Sequence, residues 1–152
     1  MKLYDIKKQT FMNKKRLDIV IRLLFIENYY KKNDYGYRLY QYPKKTFFPD
    51  GKPGVGSYYN NIQGFIDIIE SFKNNGFQKE HWLPINKSGV LWMDGAHRFA
   101  CCLYFNINPP FKIVTNKTGF GGGGSGGYGL KWLKMNYNEE DCKLILKRYD
   151  EL

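Results

Sequence analysis

An acid, a glycine, a histidine and an arginine stand together in Asp94-Gly95-Ala96-His97-Arg98, between the apolar run "VLWM" and the helix-patterned "FACCLYF". A strand that ends in glycine and opens at once into a helix presents backbone N–H groups at the turn, with the positive end of the helix dipole behind them. Glycine lets an anion approach the backbone closely and tolerates positive φ. Cations in a first helical turn oppose the dipole, so His97 and Arg98 are poor choices for helix stability and good ones for holding a polyanion. Arg98 can fork onto phosphate oxygens, and His97 can donate a further hydrogen bond. Asp94 would repel the same phosphate unless it binds Mg²⁺ or takes a proton from an incoming hydroxyl. The pattern predicts phosphate binding at Gly95, Ala96, His97 and Arg98. Asp94 and His97 are the catalytic candidates, and Asp94 is the candidate metal ligand. The plainer alternative makes Asp94 a helix cap, His97 a packed side chain and Arg98 a surface ion-pair partner.

Several elements must hold such a turn in place. Leu17, Val20, Ile21 and Leu24 recur at helical spacing and predict a first helix over Asn13–Asp34 with Asn13 as its cap. Lys14, Lys15 and Arg16 then fall in its first turn, and they are read as exposed and idle ahead of the alternative that they face an anionic partner. From Pro43 the chain reads as a loop of prolines and glycines. Lys44, Lys45 and Lys52 lie on that loop, with Lys52 taken as the lysine that reaches the phosphates. Asp50 and Glu70 are reserve carboxylates, Glu70 on the solvent face of a second helix, Asn61–Gly76. That helix has its stripe at Phe65, Ile68, Ile69 and Phe72 and ends at a glycine. "HWLPINKSGVLWM" predicts a hairpin-like pair, with Pro84 at an edge or strand start. The third helix starts at Ala96, with His97, Arg98 and Cys101 off its apolar face. "FKIV" (Phe111–Val114) reads as a short buried strand. A terminal helix spans 138–152, capped by Asn138 with acids in its first turn. Gly119–Gly129 has the composition of a flexible, designed linker standing in for a longer loop, and is set aside from the site.

At 152 residues the chain fits one domain with a real core. A hydrophobic share of 43% speaks against disorder. No apolar run approaches a membrane span and no leader pattern opens the chain, so a cytoplasmic protein without a membrane span is expected. Three cysteines, two of them adjacent in a helical pattern, predict buried thiols rather than a disulfide framework or zinc site. A net charge of +10 favours an anionic partner, although the lysines are scattered along the chain.

The stretch from about Asn61 to Val114, "DGAHR" included, resembles the ParB/sulfiredoxin-like fold, about a third of the chain. The resemblance implies an α+β fold: a single compact domain with a small mixed sheet packed with helices, extended here by N- and C-terminal helices. It implies nucleotide binding with the phosphates at Gly95–Arg98. Sulfiredoxins place a cysteine where Ala96 stands, which excludes their chemistry; Cys101 and Cys102 lie too far along the helix to replace it. Chromosome-partitioning ParB proteins carry Gly-Glu-Arg-Arg and need a downstream helix-turn-helix for which little chain remains. The free serine kinase branch carries Asp-Gly-x-His-Arg and is the closest match. The resemblance therefore implies a kinase using ATP or ADP, with CTP as the alternative, and Mg²⁺. Its acceptor would be a hydroxyl of a small molecule or carbohydrate, and the flanks add a faint link to surface-glycan metabolism. A ParB-like nucleotide-binding or nucleic-acid-binding module without kinase activity is the second reading. Nucleic acid ranks below nucleotide as a partner, because the aromatic residues fall mainly at core-periodic positions.

Overall fold

The apolar density of "LDIVIRLLFIENY" decides the architecture. These residues form α2 (Leu17–Tyr29), and nine of its thirteen residues are buried. A helix that is apolar nearly all round must be covered nearly all round. Here α3 (Gly36–Gln41), α5 (Ala96–Phe105) and α7 (Glu139–Asp150) pack against it. The computed structural model describes residues 2–41, 61–78, 80–92, 95–115 and 128–152. Within them α1 (Leu3–Thr10) precedes α2, α4 (Ile62–Asn75) packs on α5, and α6 (Leu130–Asn136) packs on α7. One apolar cluster takes in Ile6, Phe25, Ile69, Leu83, Phe99, Leu133 and Ile145. The terminal helices thus share a core with the 61–114 stretch.

The sheet is small. Strand β1 (Leu83–Ile85) runs parallel to β2 (Phe111–Ile113), in the register Leu83 opposite Phe111. On its other side Ile85 bridges antiparallel to Leu91. The chain is therefore α+β, with pairing of both senses. The "NKSG" turn joins β1 to the segment before the motif. The Asn86 side chain accepts from the amides of Ser88 and Val90, and Gly89 takes φ 85°. Pro84 is not at an edge, as its residue type suggested, but between two neighbours. It is tolerated because it contributes its carbonyl, which accepts from the Trp92 amide at 3.0 Å.

Asn138 caps the terminal helix as expected, accepting from the Asp141 amide at 2.8 Å, and Asn61, not foreseen as a cap, accepts from the Gly64 amide at 3.1 Å. Gly76 ends α4 at φ 68°. Other expectations change. The first long helix begins at Leu17, not Asn13, which takes a left-handed φ of 60° in a short 3-10 turn over Met12–Lys14. Arg16 caps α2 and is fully buried rather than idle at the surface. The strand at 111–113 is not buried along its length; Ile113 is 46% exposed, and Val114 is the residue that enters the core. Cys101 lies inside, not off the apolar face, because α5 is covered by α2 on one side and α4 on the other. Of the glycine-rich stretch, residues 119–127 lie outside the described residues, and its last two residues are structural. The Tyr128 carbonyl accepts from the Leu17 amide at 3.0 Å, and Gly129 caps α6. Among the described residues no helix is long and apolar enough to cross a membrane.

Candidate functional site

The motif hangs on a strand end that the N-terminal segment grips. Arg16 Nε and Nη2 donate to the two carboxylate oxygens of Asp18 at 2.9 and 3.0 Å, while Nη1 donates to the carbonyls of Leu91 and Trp92, both at 2.9 Å. A buried guanidinium persists only when its donors and charge are matched; the fork on Asp18 and the carbonyl pair do this. The Tyr128 ring lies 5.8 Å from the Arg16 guanidinium carbon. Thr10 Oγ1 accepts from the Leu91 amide at 3.0 Å, which ties the same strand end to α1. Leu91 and Trp92 come immediately before Met93 and Asp94 in the chain, so the N-terminal segment sets where the motif begins.

Gly95 then turns the chain into α5 at φ 87°, ψ 8°, a left-handed conformation that favours glycine. Packing makes the same demand, because a Cβ there would lie 2.9 Å from Leu83 Cδ2 on β1 and 3.4 Å from Pro84 Cδ. Gly95→Ala is therefore expected to cost about 1–2 kcal/mol from the left-handed backbone, with a further contribution from displacing Leu83. Urea unfolding at unchanged m-value measures it.

Arg98, one turn into α5, donates through Nη1 to the carbonyls of His81 at 2.6 Å and Trp82 at 3.2 Å. It bridges the motif helix and the segment leading into β1. His97 is half-buried. Its Nε2 lies 2.8 Å from the Tyr40 hydroxyl, and its ring meets Phe65 edge-to-face at 4.7 Å.

Gly95, His97 and Arg98 line one side of a cleft of about 370 Å³. Ile68 and Phe72 of α4, with Phe77 beyond its end, form an apolar wall, and His81, Ser71 and Gln78 complete the lining. No aspartate or glutamate is among the described lining residues. The volume falls in the range of small-molecule sites. Its lining combines a glycine turn at a helix start, an arginine and two imidazoles with aromatic rings and aliphatic surface. That arrangement suits a ligand with an anionic group on an apolar or aromatic body.

The cysteines take no part. Burial pushes the Cys102 thiol up to about 12 and the Cys101 thiol upward more strongly, which suppresses the reactive thiolate. Glu70 is partly exposed and accepts a hydrogen bond from the Tyr29 hydroxyl, which joins α4 to α2.

The structure brings Gly95, Ala96, His97 and Arg98 together at the start of α5, with Ala96 buried. Asp94, Lys52, Lys44, Lys45 and Asp50 lie outside the described residues. Among the described residues no group of three or more His, Cys, Asp or Glu gathers to hold a metal. Sequence reasoning missed Arg16, Tyr40, Thr10 and Phe77. The Arg16-x-Asp18 pair at the start of an apolar helix is the signal that could have found Arg16; Tyr40 had none, since its partner is far along the chain.

The comparisons with family models, with curated proteins and with solved structures find no match to this chain.

Proposed function

We propose that the chain is a nucleotide-dependent phosphotransferase of the ParB/sulfiredoxin-like kind, acting on a hydroxyl of a small molecule or sugar. The observation that carries this reading is the mixed polar and apolar lining of the cleft. A nucleotide has one polyanionic end and one flat, weakly polar end, and the cleft offers a partner for each. The phosphates lie at the Gly95 turn, where first-turn amides have no intrahelical acceptor, with Arg98 and His97 beside them. The base lies against Phe72 and Phe77, as aromatic rings stack readily on nucleobases.

Transfer from ATP then needs positioning and a proton acceptor. Asp94, which precedes Gly95 in the chain, takes the proton of the acceptor hydroxyl. The freed oxygen bonds to the γ-phosphorus, and the bond from that phosphorus to the bridging oxygen breaks, leaving ADP. With ADP as donor the same step acts on the β-phosphorus and leaves AMP. The place of Gly95, His97 and Arg98 in the wall of the cleft supports the phosphate assignment. The packing of Phe25, Phe65 and Phe99 inside the core withdraws those rings from stacking on nucleic acid, which favours a mononucleotide over a polynucleotide.

Calorimetric titration with ATP, ADP and CTP tests the binding step. Arg98→Ala is expected to lose about 1.5–3 kcal/mol of nucleotide affinity, the range for charge-assisted hydrogen bonds. Amide shifts on nucleotide addition are expected to centre on Gly95, Ala96 and His97. A folded Arg98→Ala chain with wild-type affinity, or shifts centred elsewhere, would remove the phosphates from this turn.

A further inference from the structure

We infer that Tyr40 is a positioning residue that holds His97 in its Nδ1–H tautomer, so that the histidine faces the cleft region as a neutral N–H donor. The pair spans distant parts of the chain: Tyr40 lies on α3, His97 in the first turn of α5. Gly36, at the start of α3, makes the approach possible, since a Cβ there would collide with the Leu24 carbonyl of α2. The Tyr40 ring is 4% exposed and is held between Phe25, at 4.8 Å, and Phe65, at 5.4 Å. Phe65 also closes on the His97 ring edge-to-face at 4.7 Å. Neither ring of the pair is left to choose its own orientation.

The direction of the hydrogen bond follows from what each atom would lose. His97 Nε2 lies 2.8 Å from the Tyr40 oxygen, which has no other hydrogen-bond partner among the described residues. If Nε2–H donated, the phenolic proton would be buried without an acceptor, and a buried unmatched donor is costly. If the phenol donates, only lone pairs stay unmatched. The phenol has its proton to give, because burial pushes Tyr40 up to about 12. Nε2 is therefore the acceptor, and in a neutral imidazole the other nitrogen, Nδ1, then carries the hydrogen. An imidazolium would meet the same objection as the Nε2–H form.

This gives the motif a division of labour. Arg98 supplies charge and a fixed bridge to the segment before β1, while His97 supplies a directed, uncharged donor from Nδ1. The consequence for phosphate binding rests on the phosphotransferase reading; the tautomer does not.

Long-range proton–nitrogen correlation spectra of the uniformly ¹⁵N-labelled full chain at neutral pH read the tautomer directly. His81→Gln assigns the two histidines of the sequence. The expected spectrum has a pyrrole-like Nδ1 and a pyridine-like Nε2 at His97, the reverse of the form that a free histidine side chain prefers in water. Tyr40→Phe keeps the ring and is expected to erode that bias in favour of Nε2–H. An Nε2–H or imidazolium spectrum in the wild type overturns the assignment without any variant. An unchanged tautomer in folded Tyr40→Phe, checked by its thermal transition, shows that Tyr40 is not what sets it. ADP titration separates the consequence from the cause: Tyr40→Phe is expected to bind about threefold to tenfold more weakly, the worth of one oriented hydrogen bond. Equal ADP affinity in the two proteins overturns the functional role. Absence of ADP binding in the wild type overturns the phosphate reading, while the spectrum still decides the tautomer.

Discussion

Arg16→Ala is expected to destabilise the fold by about 3–5 kcal/mol, the cost of breaking a buried ion pair by removing one partner. Arg16 is fully buried, and Asp18 is 3% exposed. Without the guanidinium, the Asp18 carboxylate keeps only the more distant Arg22 Nη1, at 3.4 Å, and the Leu91 and Trp92 carbonyls lose their donor. Each of those groups is held away from water and cannot re-solvate without opening the core. Arg16→Lys is expected to recover only part of the loss. An ammonium cannot fork onto Asp18 while donating to both carbonyls, which the planar guanidinium does from a single position. Replacing the pair together, as Arg16→Met with Asp18→Leu, is expected to cost less than Arg16→Ala alone, because no charge is then stranded. Urea unfolding of the three variants followed by circular dichroism measures all of this. A loss below about 1 kcal/mol in Arg16→Ala, the level of an exposed pair, would mean that Arg22 and rearranged backbone take over, and Arg16 would cease to be the anchor of the motif strand.

Asp94→Asn is expected to retain nucleotide binding and to lose phosphoryl transfer by ~10²-fold or more, the scale of removing a general base. A carboxylate next to a phosphate site is electrostatically unfavourable unless a reacting proton or a cation occupies it. Asparagine keeps the size and can still cap a helix, so the unfolding midpoint is expected to move little. Products are followed by phosphorus NMR across sugar and amino-acid acceptors. Normal turnover in Asp94→Asn would reduce the aspartate to a cap. A wild type that binds nucleotide and transfers to no hydroxyl would favour the nucleotide-binding module instead. That screen is best run also with a longer natural loop in place of residues 121–127, because their composition is that of a substituted linker.

The distinction between Arg16 and Arg98 on one side and the asparagine caps on the other shows what is local in this protein. The Asn138 cap and the NKSG turn were legible because a cap or tight turn is made by neighbours a few residues apart. The α5 start at Ala96 and the strand at 111–113 were legible for a related reason, a change of hydrophobic period beside a glycine or prolines. The helices α1, α3 and α6 carried no comparable signal. They are short, and short helices owe their stability to packing rather than propensity.

The residue types of the candidate site, the glycine turn ahead of a helix with a histidine and an arginine behind it, were present in the sequence itself. What surrounds them was decided by tertiary structure. Charge made Arg16 read as a surface residue, yet two long-range carbonyl acceptors and Asp18 draw it fully inside. Arg98 read as a phosphate ligand or surface partner, and the fold gives its Nη1 to the His81 and Trp82 carbonyls. Tyr40 and His97 stand 57 positions apart and meet only because Gly36 lets α3 close on α2. Local chemistry names a residue's possible roles; the role it takes depends on which distant backbone atoms need a donor once the core has excluded water.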